Sequence, residues 1–298
     1  MLAMGLTVHL VDGTYELFRH HYAVPSRQNA DGMEIAATRG VVNSVLGLLA
    51  EGATHVGVAT DHVIESWRND LWPTYKDGSG VDPVLKAQFP LLEEALRALG
   101  VTVWAMVEDE ADDALGAAAV KAAADERVDE VLVCTPDKDL AQVVGGKVVQ
   151  LDRRKGGTRI DAVLLDDPLG VEPASIPDWL ALVGDSADGF PGLPGWGKGS
   201  AATILRRYGH LDRVPLDTEE WDVTVRNGRV LAKTLGEQME QALLFRRLAT
   251  LCLDCEVGEV DDWRWTGPTP AFDDVCARLD APEYPRRAAA LAAERGGG

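Results

Sequence analysis

Acidic residues fall just past the short β-type apolar runs of this chain, and that pattern constrains its fold more than any other feature. Thr7-Val8-His9-Leu10-Val11 ends at Asp12, and Val56-Gly57-Val58-Ala59-Thr60 ends at Asp61. The run from Val101 to Val107 is followed by Glu110, Asp112 and Asp113. Val131-Leu132-Val133-Cys134-Thr135 is followed by Asp137 and Asp139. Acids repeated at strand ends gather at one edge of a parallel sheet, the edge where open α/β sheets bind their ligands. Crowded carboxylates repel, and each pKa rises unless cations offset the charge. An oxygen-rich donor set suits Mg²⁺ or Mn²⁺. Phosphodiester hydrolysis is the chemistry most often run by such sites.

Helical patterns lie between the runs, over residues 37–49, 85–99 and 112–124. Strand-helix alternation predicts an α/β fold, a Rossmann-like parallel sheet with helices on both faces. It is not a dinucleotide fold. The first run is followed by Asp12-Gly13-Thr14-Tyr15 rather than G-x-G-x-x-G, and there is no Walker A motif. Residues 67–84 break the alternation with Arg68, Tyr75, Lys76, Asp77-Gly78-Ser79-Gly80 and Asp82-Pro83, which predicts a mobile loop reaching over the acids. From about residue 176 the character changes to short helices, over 177–183, 201–208 and 230–250. Beyond Asp261 the pattern weakens, and the last glycines read as a frayed tail.

Composition sets further bounds. With 298 residues, 46% hydrophobic and 26% charged, the chain suits one large or two fused domains. The apolar runs are too short to span a membrane, and no basic-then-apolar leader opens the sequence. The expectation is a soluble, cytoplasmic protein. Cys252 and Cys255 form a C-x-x-C, but no second pair or nearby histidines follow, so they read as reduced thiols rather than a zinc site. The net charge of −19 conflicts with phosphate binding, which normally leaves a basic footprint. Acids neutralised by divalent cations account for part of the excess. The remainder predicts local basic patches on an acidic body and weak, salt-sensitive DNA binding.

Glu110-Ala111-Asp112-Asp113 and Asp137-Lys138-Asp139 each have a plain alternative as acidic helix starts. Both together, with Asp12 and Asp61 at other strand ends, point to a site. A second element is the glycine-rich turn Gly192-Leu193-Pro194-Gly195-Trp196-Gly197 between two helices, the form of a helix-hairpin-helix. Its glycines let a backbone approach closely, and the helix that follows offers N–H groups to a phosphate. Gly184-Asp185 and Asp188 lie a few residues before it.

These residues resemble the 5′ nucleases, the family that includes the N-terminal domain of bacterial DNA polymerase I, phage 5′ exonucleases and flap endonucleases. The matching stretches, in family order, are residues 10–19 (LVDGTYELFR), 60–76 (TDHVIESWRNDLWPTYK), 110–113 (EADD), 135–140 (TPDKDL) and 184–197 (GDSADGFPGLPGWG). The resemblance implies a PIN-like catalytic domain over residues 1–175, with an arch at about 62–90. It implies a helical region over 176–298, with the helix-hairpin-helix at about 180–210 and C-terminal helices. It also implies a stand-alone, monomeric nuclease without a polymerase domain.

The resemblance assigns roles residue by residue. One metal ion would be held by Asp12, Asp61, Glu110, Asp112 and Asp137. The second would involve Asp137, Asp139, Asp185 and Asp188, with Asp113 acting through water. Lys76 matches the arch lysine that orients the scissile phosphate, and Arg68 and Tyr75 match neighbouring arch positions. Gly192, Gly195 and Gly197 would grip duplex DNA and bind K⁺ through backbone carbonyls, with Lys198 beside them. Tyr15 is placed to stack on an unpaired terminal base, with core packing as the alternative.

The implied activity is 5′ to 3′ exonuclease and flap endonuclease action, with Mg²⁺ or Mn²⁺, on DNA 5′ ends, flaps and nicked or branched duplex. RNA primers in RNA–DNA hybrids are a further implied substrate. Two other readings stay open: a PIN-class ribonuclease and a non-catalytic DNA-junction binder. Three departures bear on substrate affinity. Asp77-Gly78-Ser79-Gly80 stands where the family has another basic residue after the arch lysine. Gly199 stands where a lysine is usual, with Lys198 one place earlier. The whole chain is also acidic.

Overall fold

The computed structural model describes residues 5–155, 157–161 and 170–296. They form two compact bodies. The first comprises the chain up to Ser66, Gly78–Thr135 and the chain from Cys252 onward; the second comprises Trp67–Asp77 and Pro136–Leu251.

Four strands build the first body: β1 (Leu6–Asp12), β2 (His55–Asp61), β3 (Thr102–Met106) and β4 (Val128–Cys134). All pairings are parallel, in the order β3-β2-β1-β4. Every residue of β2 is buried. A parallel strand covered on both faces has no solvent side, so its sequence is a continuous apolar run rather than an alternation. The register aligns the carboxyl ends: Asp12 pairs with Ala59, Asp61 with Met106, and Val11 with Cys134. Side chains just past those positions therefore share one edge.

The Ala111–Ala124 helix packs against all four strands. Its Ala114, Ala118 and Ala122 have no exposure, and small side chains let the helix lie close. The 85–99 pattern divides into Pro83–Lys86 and Gln88–Ala98, separated at Ala87. From Cys252 the chain returns to this body. The main-chain N–H of Trp265 donates to Thr54 O at 2.8 Å, and its indole N–H donates to Leu99 O at 2.7 Å. Two helices follow, Phe272–Arg278 and Tyr284–Gly296. The last two glycines lie outside the described residues.

The second body holds β5 (Val148–Asp152) and β6 (Thr158–Ile160), paired antiparallel. This reversal departs from the all-parallel expectation; β6 is a Thr-Arg-Ile segment with two exposed residues and no apolar run to announce it. The helices Ile176–Val183, Lys198–Tyr208, Gly228–Glu237 and Met239–Ala249 surround a core that includes Trp179, Leu182, Phe190, Ile204 and Phe245. The helix read as continuous over 230–250 is interrupted at Gln238, where φ is −122° and ψ is 26°. Among the described residues, no helix is long and apolar enough to cross a membrane.

Candidate metal centre and nucleic-acid interface

The acids of the first body stand at the shared strand edge, and each is held by specific donors. Asp12 caps the Gly13–Ala23 helix: its Oδ1 accepts from Tyr15 N at 2.7 Å, and its Oδ2 accepts from Thr135 Oγ1 at 2.8 Å. Asp61 Oδ1 accepts at 2.8 Å from the N–H of Ala111, the first residue of the helix that follows β3. Thr14 Oγ1 accepts from the Asp61 main-chain N–H at 2.8 Å, so consecutive crossovers are tied at one point. Glu110 and Asp113 form a capping box. Asp113 Oδ2 accepts from Glu110 N at 3.0 Å, while Glu110 Oε1 accepts from Ser66 Oγ at 2.7 Å. Asp12, Asp61, Glu110 and Asp113 are all buried, and Asp112 is half-buried. The capping reading therefore holds for Asp12, Glu110 and Asp113, and orphan N–H groups at helix starts orient these carboxylates at the strand edge.

In the second body, Asp139, Asp185 and Asp188 present carboxylate oxygens within 4.8 Å of one another. Asp137, half-buried, orients this set through Oδ1, which accepts from Asp139 N at 3.0 Å. Asp185 is fixed by its main-chain pairing with Phe190 and by Ala187 N donating to its Oδ1 at 2.9 Å. Burial, then the nearby Asp137, pushes the Asp139 carboxyl well above the usual carboxylate range; Lys138 opposes the rise, and Asp188 and Asp185 add to it. Lys138 hydrogen-bonds Asp185, and its Nζ lies 3.4 Å from Asp139 Oδ1. Even so, Asp139 Oδ1 is buried without a hydrogen-bond donor. Lys138 offsets only part of the charge of three crowded carboxylates, and a hard divalent ion fits this all-oxygen donor set.

The arch residues occupy different environments. Arg68 is 2% exposed; its Nε donates to Leu248 O at 2.8 Å and its Nη2 to Thr250 O at 3.0 Å, with the guanidinium 4.6 Å from the Trp67 ring centre. Tyr75 is buried, its ring parallel to Phe190 at 6.4 Å. Lys76 and Tyr15 are half-buried.

The glycine turn links Ile176–Val183 to Lys198–Tyr208. Leu193 N donates back to Leu182 O at 2.9 Å. Gly192 has φ +70°, and a Cβ there would lie 2.3 Å from Gly184 N, so the two strands of the turn cross only without side chains. Gly195 and Gly197 are exposed, Gly197 as the N-cap of the second helix, and Lys198 is exposed beside it.

A family model described as the 5′-3′ exonuclease N-terminal resolvase-like domain matches residues 7–166. The chain belongs to the 5′-3′ exonuclease family. The model for that family's C-terminal SAM fold matches residues 171–271, which contain the glycine turn. DNA polymerase I of Pseudomonas aeruginosa is 34% identical over 85% of this chain, but the match spans only 28% of that protein's length. The 5′-3′ exonuclease of Aquifex aeolicus is 29% identical over 86% of each chain. Among solved structures, a bacteriophage T5 flap endonuclease in a pseudo-enzyme-product complex with DNA and metal ions shares the fold. That match has a TM-score of 0.60 at 18% identity and covers 96% of this chain and 99% of that one.

Within this 5′-3′ exonuclease fold, a cleft of about 740 Å³ is lined by Lys138, Trp179, Asp185, Trp196 and Lys198, among others. The indole nitrogens of Trp179 and Trp196 are buried without acceptors. No sequence signal marks Trp179 or Trp196 as site residues, while Lys138 stands as the cation inside Asp137-Lys138-Asp139. The C-x-x-C differs from the expectation of isolated thiols. Cys252 and Cys255 meet Asp109, with their ligand atoms within 4.8 Å of one another. Asp109 lies far away in sequence, beyond the reach of any spacing rule.

Proposed function

We propose that this family member is a two-metal 5′ to 3′ exonuclease and flap endonuclease that hydrolyses DNA phosphodiester bonds in replication and repair in the cytoplasm. The observation that carries the reading is the Asp139, Asp185 and Asp188 cluster, in which the buried Asp139 Oδ1 accepts no hydrogen bond. Asp139, Asp185 and Asp188 hold one divalent cation, with Asp137 as a further ligand. Asp12, Asp61, Glu110 and Asp112 hold the other, and Asp113 acts through water. Mg²⁺ or Mn²⁺, when bound, supplies an activated water and counter-charge for the leaving 3′ oxygen.

The protein's own groups do the rest. The N–H of Tyr15, the hydroxyl of Thr135 and the N–H of Ala111 hold the strand-edge carboxylates in one orientation before substrate arrives. Preorganised charge of this kind needs no rearrangement at the moment of reaction. Lys76 contacts the scissile phosphate. Arg68 and Tyr75 support Lys76 from the core, Arg68 as a positioning residue, because their side chains are buried. Tyr15 stacks on the terminal base. The exposed Gly195, Gly197 and Lys198 meet the duplex backbone, and Gly192 shapes their turn. Its carbonyls offer a K⁺ site. The acceptor-less indoles of Trp179 and Trp196 line the neighbouring cleft, where a phosphate oxygen satisfies them.

The test is cleavage of end-labelled 5′-flap, nicked and single-stranded DNA with Mg²⁺, with Mn²⁺ and with EDTA. Metal-dependent cutting at the flap junction, or stepwise from the 5′ end, is expected. A folded protein that cuts none of these with either metal at low salt overturns the assignment.

A further inference from the structure

We propose that Cys252, Cys255 and Asp109 form a second kind of metal site, one for a soft or borderline divalent cation of the Zn²⁺ class. It is distinct in chemistry from the all-oxygen carboxylate sets, and it does not depend on the nuclease reading.

Three observations converge. Both sulfurs and an Asp109 carboxylate oxygen lie within 4.8 Å of one another. Tetrahedral Zn²⁺ with Zn–S bonds near 2.3 Å brings two sulfurs to about 3.8 Å, so small side-chain rotations close the set. The three residues are half-buried, which leaves room for a water as fourth ligand. The thiols are free, and the chain's other cysteines, Cys134 and Cys276, are buried elsewhere.

Donor chemistry selects the cation. Thiolates favour Zn²⁺ and its softer relatives, whereas Mg²⁺ takes oxygen ligands and releases its waters reluctantly. In the free site the Cys255 thiol donates to Cys252 O at 3.5 Å, and burial, then the nearby Asp109 carboxylate, pushes the thiol well above its ordinary range. The cation therefore displaces thiol protons to solvent as the metal–sulfur bonds form.

The position gives the site a structural role. Cys252 begins the last segment of the first body, and its main-chain N–H donates to Asp113 Oδ1 at 2.8 Å. Asp113 in turn accepts from the N–H of Glu110, the residue after Asp109. A cation bridging Asp109 to Cys252 and Cys255 closes a ring around this bond and fixes the start of the helix that carries Asp113.

The experiment titrates reduced, metal-free protein with Co²⁺ in excess Mg²⁺, which occupies the oxygen sites. The expected result is a thiolate-to-Co²⁺ charge-transfer band that saturates at one equivalent and is bleached by Zn²⁺. It should be absent in Cys255→Ser and Cys252→Ser, and Asp109→Asn should weaken Co²⁺ binding roughly tenfold or more, the scale for losing one oriented ligand group. No band in folded wild type, or an unchanged band in Cys255→Ser, overturns the proposal. Maleimide labelling mapped by mass spectrometry keeps the test decisive if a serine variant does not fold. Zn²⁺ should protect Cys252 and Cys255 in the wild type, and labelling indifferent to Zn²⁺ contradicts the site. A Cys252–Cys255 disulfide that forms in air while the reduced protein binds no Co²⁺ also contradicts it.

Discussion

The main-chain N–H of Lys76 donates to the carbonyl oxygen of Asp188 across 3.1 Å. The lysine proposed to contact the scissile phosphate is thus anchored by its backbone to a member of the carboxylate cluster. Lys76 holds φ of 32°, a left-handed conformation that a non-glycine residue keeps only when its surroundings enforce it. Side chain and backbone therefore have separable jobs.

Lys76→Ala keeps the backbone bond and removes the ammonium. Turnover on a 5′-flap should fall by roughly 10²-fold, the scale of losing one preorganised contact to developing charge. The rise in melting temperature on adding Mg²⁺ should be unchanged. Lys76→Pro removes the N–H and imposes φ near about −65°, so it should reduce the Mg²⁺ response as well. Wild-type turnover in Lys76→Ala removes this lysine from the mechanism.

Asp139→Asn tests the bare oxygen. Neutralising a buried carboxylate crowded by Asp137, Asp188 and Asp185 relieves repulsion, so the metal-free variant should melt at or above the wild-type temperature. Its stabilisation by Mg²⁺ should shrink and cleavage should be lost. A Mg²⁺-induced shift of wild-type size in this variant contradicts the ligand assignment.

Arg68 offers a stability prediction. Truncation to alanine leaves the carbonyls of Leu248 and Thr250 without their charged donor inside the second body. The cost should be about 3 kcal/mol, read from urea unfolding, since hydrogen bonds to charged groups contribute about 1.5–3 kcal/mol each and the orphaned carbonyl of buried Leu248 adds to the loss. A change within about 0.5 kcal/mol, typical of surface positions, shows that Arg68 does not brace this region.

Much of this arrangement was legible in the sequence because parallel strands buried on both faces must be short apolar runs, and each run stopped at its acid or within three residues of it. The predicted ends at Asp12, Thr60 and Thr135 lie within one residue of the strand ends at Asp12, Asp61 and Cys134. What was not legible depends on tertiary partners. Arg68, matched to the arch by resemblance, carries no sequence sign of the Leu248 and Thr250 carbonyls that it meets. Asp109 reads as a loop acid until Cys252 and Cys255 meet it. The seven-residue Phe272–Arg278 helix is too short for periodicity to stand out, and the alanine-rich Tyr284–Gly296 helix has a weak apolar stripe.

The hairpin should govern affinity rather than chemistry. Gly192→Ala places a Cβ against Gly184 N at a position already requiring φ of +70°. Equilibrium binding to duplex DNA should weaken while the Mg²⁺-dependent melting shift persists. Lys198→Ala should lower the slope of log affinity against log salt by about one, as the loss of a single phosphate contact does. Unchanged binding in both variants places the DNA contact elsewhere.

The central claim is that the carboxylates hold catalytic cations, and the most direct measurement is Mn²⁺ binding followed by electron paramagnetic resonance on wild type and Asp185→Asn. Asp185 is buried and already oriented by the N–H of Ala187, so the asparagine preserves the loop while removing the charge. The expected result is tight Mn²⁺ binding in the wild type, one fewer ion per chain in Asp185→Asn, and loss of flap cleavage in step with it. Equal Mn²⁺ occupancy in the two proteins, or full cleavage by the variant, contradicts it.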